Sequence, residues 1–136
     1  MIALTEELDV ALDIRRKVFV EEQGIPLAED VDGKDDEAIH LLAFDAGTAV
    51  GTARILLVDG VGKIGRVAVL KLARGQGFGK QLVSFAVDAI AHQGGKEARL
   101  GAQVDAVGFY RDLGFETVGP VFMDAGLPHQ EMRREL

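Results

Sequence analysis

Cysteine, tryptophan and asparagine are missing from this 136-residue chain, and tyrosine and serine occur once each, as Tyr110 and Ser84. Without cysteine there is no disulfide framework, thiolate zinc site, iron–sulfur cluster or catalytic thiol. Basic residues are outnumbered: 15 Lys and Arg stand against 22 Asp and Glu, a formal charge of −7. That deficit argues against nucleic-acid binding, which needs clustered Lys and Arg for phosphates. No stretch reaches the ~20 consecutive apolar residues that span a bilayer. Met1 to Val10 also lacks the basic start and apolar run of a secretory leader. These absences predict a cytoplasmic protein with no nucleic-acid or membrane partner. The length and a hydrophobic content of 48% predict one domain over residues 1–136, burying about two-thirds of its unfolded surface.

What the chain has in plenty is glycine, 17 residues, and changes of hydrophobic period. Thr5 can cap a first helix, with Glu6 and Glu7 in its positive first turn. Leu8, Ala11, Leu12, Val18 and Phe19 follow at helical spacing, and Gly24 ahead of Pro26 is the stop. Residues 27–37 read as an acidic loop. Three strands are expected at Ile39–Phe44, Val50–Val58 and Lys63–Leu70, joined by the turns Asp45-Ala46-Gly47 and Asp59-Gly60. Connections this short imply antiparallel neighbours. A second helix spans Phe78–Gln93, with Leu82, Phe85, Ala86, Ala89 and Ile90 on one face and Gly94-Gly95 after it. A strand at Ala98–Gln103 follows that crossover and should lie parallel to the third. A short helix over Asp105–Leu113 comes next. The last strands are expected at Phe115–Val118 and Glu131–Leu136, around a loop with Pro120, Gly126 and Pro128. The order is that of an α+β fold with a mixed sheet.

The strongest chemical signal is Arg74-Gly75-Gln76-Gly77-Phe78-Gly79-Lys80, set between a strand and a helix. Glycines let a backbone approach a ligand and turn its N–H groups inward, and the helix adds its positive end. A phosphate or pyrophosphate is the natural guest, with Arg74 and Lys80 at its flanks. Two nucleotide motifs fail on the letters. A Walker loop needs Ser or Thr after Gly79-Lys80, where Gln81 stands, and glycine where Arg74 stands. A dinucleotide fingerprint starting at Gly75 and Gly77 needs glycine at Lys80.

Arg74, Gly77 and Gly79 do fill the pattern Arg/Gln-x-x-Gly-x-Gly/Ala, and Arg66-Val67-Ala68-Val69 lies shortly upstream. Ala106-x-x-Phe109-Tyr110-x-x-Leu113-Gly114-Phe115 follows downstream. With these motifs the chain resembles the GNAT superfamily of acetyl-CoA-dependent N-acetyltransferases over nearly its whole length. Its start, Ile14-Arg15-Arg16-x-Val18-Phe19-Val20-x-Glu22-Gln23, and Gly126-Leu127-Pro128-His129-x-x-Met132 are similar to the ElaA/YjcF-like branch.

The resemblance implies the acyl-CoA N-acyltransferase fold, a mixed, mostly antiparallel twisted sheet flanked by helices. It implies acetyl-CoA as co-substrate, no metal, and a small-molecule amine as the other partner. The backbone of Val67, Ala68 and Val69 would pair with pantetheine, and the Val69 amide would polarise the thioester carbonyl. Gly75, Gln76, Gly77, Phe78, Gly79 and Lys80 would hold the pyrophosphate together with Arg74. Phe109 belongs to the second motif, and Gln103 stands where many relatives carry an asparagine that bonds the pantetheine arm. The aromatic residue that often precedes the motif arginine is Ala73 here.

With no cysteine, and with Ser84 lacking a nucleophile-elbow context, direct transfer to the amine fits the inventory. Tyr110 is the candidate acid, protonating the departing thiolate. Glu22, His40 and His129 are the candidate bases. The run Glu29-Asp30-x-Asp32-x-x-Asp35-Asp36-Glu37 reads either as a solvated loop or as an acidic rim for a cationic amine. Its spacing misses the EF-hand pattern, so no metal site is expected there. Arg15, Arg54 and Arg66 could instead serve an anionic substrate. A non-catalytic acyl-CoA-binding module and a glycine-loop nucleotide binder are the competing functions. Exposed strand edges would suit a homodimer.

Overall fold

A computed structural model describes every residue from Met1 to Leu136. The chain begins with a strand that sequence reasoning missed, β1 (Ile2–Thr5), which pairs antiparallel with the next strand from Ile2 opposite Ala43 to Thr5 opposite His40. Thr5 does not cap the first helix: it ends β1, its Oγ1 accepts from the Glu7 N–H at 3.0 Å, and Glu6 and Glu7 precede the first helical residue, Leu8. Helix α1 (Leu8–Arg15) runs on without a break into a π-helical segment, Arg16–Glu22. Wider turns of that kind are uncommon and gather near functional sites.

The expected loop over 27–37 holds two short helical turns, α2 (Leu27–Asp30) and a 3₁₀ turn at Asp35–Glu37. The meander is as expected, with β2 (Ile39–Asp45), β3 (Thr48–Val58) and β4 (Val61–Val69) antiparallel in sequence. Helix α3 (Phe78–His92) then crosses over to β5 (Glu97–Gln103), which runs parallel to β4. After the short helix α4 (Val107–Arg111), β6 (Glu116–Asp124) and β7 (Leu127–Glu135) form a long hairpin. The expected loop around Pro120 and Pro128 is therefore mostly strand, turning only at Ala125-Gly126, both with positive φ. Pro120 is tolerated because β6 is the sheet edge, where a missing N–H breaks no central ladder. The seven strands stand in the order β1-β2-β3-β4-β5-β7-β6.

The two faces of the sheet are covered differently. Leu82, Val83, Ala86, Val87 and Ile90 of α3 are buried against Leu41, Ile55, Ile64, Leu100 and Met132 on one face. Each large side chain among them contributes roughly 1.5–3 kcal/mol of burial. On the other face Ala11, Ile14 and Val18 cover Leu42 and Ala68. Gly62 is obligatory for this packing, since a Cβ there would stand 2.4 Å from the Ile90 side chain.

Two features of β4 shape the site. Thr52 pairs with Ala68 but Arg54 pairs with Gly65, so Arg66 and Val67 together oppose Ala53 in a bulge. Arg66 adopts φ +53° there, a left-handed conformation that costs a non-glycine residue on the order of 1 kcal/mol. Bulges bend a strand and increase its twist. Just before this one, β4 parts from β5: their parallel pairing covers only Val61–Lys63 against Glu97–Arg99.

Candidate active site

Where β4 leaves β5, a cleft of about 430 Å³ opens, lined among others by Arg66, Val67, Gly101, Gln103, Tyr110 and His129. Its wall carries free backbone. The Leu70 N–H donates to the Val50 carbonyl at 2.8 Å, which points that amide toward β3. Alternation along a strand then turns the Val69 amide the other way, toward the gap that β5 has vacated, and Val67 precedes it at the bulge. Their side chains, with that of Ala68, pack into the two cores, so the same three residues hold the wall and present its polar edge.

The glycine stretch continues this edge. From Gly75 to Lys80, no backbone N–H has a protein acceptor; the first amide of α3 to be paired is Gln81, bonded to the Gly77 carbonyl at 3.0 Å. Gly75 and Gly77 take φ of +80° and +87°, and a Cβ at either would meet nothing within 4 Å. These glycines serve conformation, leaving open space above the loop. Six consecutive unpaired N–H groups at a helix N-terminus form an anion cradle. Lys80 and Gln76 are exposed beside it, and Phe78 packs inward onto the main core. Phe109 is half exposed, its ring edge 3.8 Å from where a Gly79 Cβ would be.

Arg74 does not point freely at that cradle. Its Nε donates to the Val69 carbonyl at 3.0 Å, and its two Nη groups grip both carboxylate oxygens of Glu22 at 2.5 and 2.7 Å. The Arg74 hydrogen bonds hold the Glu22 carboxyl below the usual range. Glu22 is thus brought to the loop and does not line the cleft that holds Tyr110, His129 and Gln103. That placement removes the geometric ground for Glu22 as a base at that cleft.

Tyr110 lies on the cleft wall, its ring edge-on to Phe109 (5.0 Å) and Phe115 (6.2 Å). Burial pushes its phenol above the ordinary tyrosine value, so it is protonated at neutral pH. Gln103 ends β5 directly opposite His129 on β7. His129 stacks on Phe122 with ring centroids 5.9 Å apart. Its Nδ1 lies 2.8 Å from the Leu127 carbonyl; a carbonyl only accepts, so Nδ1 carries the hydrogen and Nε2 has the free lone pair. Of the three sequence candidates for a base, His129 alone lines this cleft.

His40 is elsewhere. It is buried on β2, its Nε2 donates to the Asp35 carbonyl at 2.8 Å, and Nδ1 has no partner. It lies outside the cleft lining, and its observed bond is structural.

The acidic run is divided: Glu29, Asp32, Asp36 and Glu37 are exposed, and Glu29, Asp30 and Asp32 line the cleft. Asp30 and Asp35 are 3% and 8% exposed, and they are matched by arginines, not by water. Arg15 binds both (3.2 and 2.7 Å), while Arg54 binds Asp32 and Asp35 (2.6 and 3.1 Å). Hydrogen bonds from Arg54 hold the Asp32 carboxyl well below the usual carboxylate range against the opposing cost of burial. Burial pushes Asp35 up, but Arg15 and Arg54 together outweigh it and hold that carboxyl low. The network pins the segment 27–37 to α1 and the sheet. Arg15 and Arg54 are consumed in it and are not free for an anionic ligand.

No helix is long and apolar enough to cross a membrane. The family model described as an acetyltransferase (GNAT) domain matches residues 16–136. A Bacillus subtilis (strain 168) chain named "uncharacterized N-acetyltransferase YjcF" is 36% identical over 131 residues, covering 96% of this chain and 94% of its own. The crystal structure of Escherichia coli ElaA superposes with a TM-score of 0.86 at 35% identity, over 99% of this chain and 100% of that one. An acyl-CoA N-acyltransferase structure from Pseudomonas aeruginosa gives 0.87 at 31% identity, over 98% and 99% of the two chains. A parted β4–β5 pair, an amide cradle ahead of α3 and this agreement along the chain lead to one assignment: the protein belongs to the GNAT acetyltransferase family.

Proposed function

We propose that the cleft transfers acetyl from acetyl-CoA to the primary amine of a small molecule, by direct attack while both substrates are bound. The observation that carries this reading is the group of six unpaired amides of Gly75–Lys80, set beyond the end of a β4 edge that β5 leaves unpaired after Lys63. That arrangement suits a pantetheine arm along the strand edge and a pyrophosphate over the loop, with Lys80 as counter-charge. Gln103 faces the arm from β5, and Phe109 borders the loop.

In the reaction, His129 Nε2 takes a proton from the acceptor ammonium, and the amine nitrogen then bonds to the thioester carbonyl carbon. The Val69 N–H stabilises negative charge developing on the carbonyl oxygen. As the carbon–sulfur bond breaks, the Tyr110 hydroxyl gives its proton to the departing sulfur. The bonded nitrogen gives up its second proton, which through solvent restores the phenol. The products are the acetamide and the free thiol of CoA, with the first proton released from His129. The raised phenol keeps that proton available at neutral pH. No side chain is positioned as an acyl carrier, since cysteine is absent and Ser84 lies on the exposed face of α3.

Free-thiol release from acetyl-CoA, measured over a panel of small amines, tests the reading, with thermal stabilisation by acetyl-CoA, ATP and NAD run alongside. Amine-dependent thiol release supports it. Stabilisation by acetyl-CoA with no release from any amine would instead favour a binding module, and stabilisation by ATP or NAD alone would overturn the CoA site.

A further inference from the structure

Three arginines share three carboxylates beneath the cleft, and they do not share equally. Arg15, 1% exposed, takes Asp30 Oδ1 at 3.2 Å and Asp35 Oδ1 at 2.7 Å. Arg54, 5% exposed, takes both Asp32 oxygens and Asp35. Arg66 is left with atoms already claimed: Asp30 Oδ1 at 3.3 Å and Asp32 Oδ2 at 3.4 Å. Its remaining bonds run from Nε and Nη2 to the Asp30 and Glu29 carbonyls. Nη1 has no protein partner and is not among the buried unpaired atoms, so it meets solvent, in a residue that lines the cleft. Burial and then the like charge of Arg54 hold this guanidinium below the usual arginine range, as expected of a cation short of counter-charge.

Position gives the spare donor its meaning. Arg66 precedes Val67, at the opposite end of the free strand edge from the Arg74–Lys80 loop. With pyrophosphate on that loop, Arg66 lies beyond the thioester, on the side from which the acceptor comes. Lys63 and Lys34 line the same cleft. Glu29, Asp30 and Asp32 line it too, on the same side as Arg66, and Lys63 reaches Glu131 of the β6–β7 hairpin at 3.9 Å. The hairpin adds its own acids. Asp124 lines the cleft there, and Glu131 turns Oε1, buried and unpartnered, to within 4.0 Å of a Gly101 Cβ position. The cleft thus carries both charges: on the bulge side Asp30 and Asp32 are already engaged by arginines and Arg66 Nη1 is the spare donor, while Asp124 and His129 lie across from it.

We propose that the acceptor is an amine that also carries an anionic group, carboxylate or phosphate, and that Arg66 binds this group through Nη1. The proposal rests on the acetyl-transfer reading above. It makes the left-handed bulge residue a specificity determinant, holding a guanidinium at the mouth of the parted strands.

The test compares thiol release with acceptors of matched length: propylamine, β-alanine, 3-aminopropylphosphonate and 1,3-diaminopropane. A charge-assisted bond at Arg66 should raise kcat/KM for the carboxylate or the phosphonate roughly ten- to hundredfold over propylamine, mainly through KM. Which of those two gains more identifies the anion. In Arg66→Gln that ratio should collapse toward one. Should the variant not fold, the wild-type series still decides, together with inhibition by inorganic phosphate that is competitive against the amine and not against acetyl-CoA. Equal rates for propylamine and both anionic amines, preference for the diamine, or a ratio unchanged in folded Arg66→Gln would overturn the proposal. Those outcomes leave acetyl transfer standing. Thiol release from no amine would overturn that reading and this inference with it.

Discussion

Glu22 and Arg74, 52 residues apart, face one another in a two-pronged ion pair, with Nη1–Oε2 at 2.5 Å and Nη2–Oε1 at 2.7 Å. The pair ties the end of the π-helical segment to the first residue of the glycine loop. Arg74 therefore has to leave Glu22 before its guanidinium can turn to a phosphate. Glu22→Gln should tighten acetyl-CoA binding by up to about fivefold, the scale of an exposed pair, in a calorimetric titration. Weaker binding would show that Glu22 holds the loop in its working shape. The same variant should keep more turnover than His129→Gln.

Tyr110→Phe removes the hydroxyl and leaves the edge-on contacts of the ring with Phe109 and Phe115 in place. We expect kcat to fall about 10²-fold or more while acetyl-CoA affinity changes little. Steady-state kinetics beside a binding titration checks this. Unchanged turnover would remove Tyr110 from the acid role.

His129→Gln keeps a polar side chain opposite Gln103 but removes the Nε2 lone pair. Turnover should drop on the order of 10²-fold in steady-state kinetics, with acetyl-CoA affinity little changed. Unchanged turnover would show that water or another group takes the amine proton.

Gly77→Val forces a β-branched residue to φ +87°, in a position where the added Cβ meets no atom within 4 Å. The fold should survive with a loss of about 1–2 kcal/mol. Acetyl-CoA should no longer raise the melting temperature, because the side chain fills the space above the amide cradle. Retained stabilisation would refute a pyrophosphate on this loop.

Asp35→Asn should cost about 3–5 kcal/mol in urea unfolding, because Arg15 and Arg54 lose a shared buried partner. The pH dependence follows from the same pairs. Asp32 and Asp35 have folded pKa values below their unfolded ones, so their contribution is fully present above the unfolded value of about 3.9. It is lost as pH falls through the lower folded values. The wild-type melting temperature should hold through neutral pH and fall steeply below about pH 4, and Asp35→Asn should flatten that fall.

Local and contiguous features were readable in advance. The Arg74–Lys80 run is one stretch whose glycine spacing dictates its own backbone, so its turn into the N-terminus of α3 could be read from the letters. The meander, α3 and the parallel placement of β5 followed from period and turn residues. The four-residue β1 could not be read, because it carries too few positions to show a period and forms only by pairing with β2. The β6–β7 hairpin was shortened in prediction because Pro120 and Pro128 look like breakers unless the strand is known to be an edge.

By itself, then, the sequence determined the fold class, the glycine loop ahead of α3 and the absence of a thiol nucleophile, each written in neighbouring residues or in composition. Only the tertiary structure decided how distant charges meet. It paired the acidic run with Arg15 and Arg54 across 15 to 22 positions, withdrew Glu22 to Arg74, set His40 apart and kept His129 in the cleft. It also left Arg66 with a donor to spare. The physical reason is that a charged side chain's role depends on which opposite charges share its low-dielectric surroundings, and sequence spacing does not encode those distances.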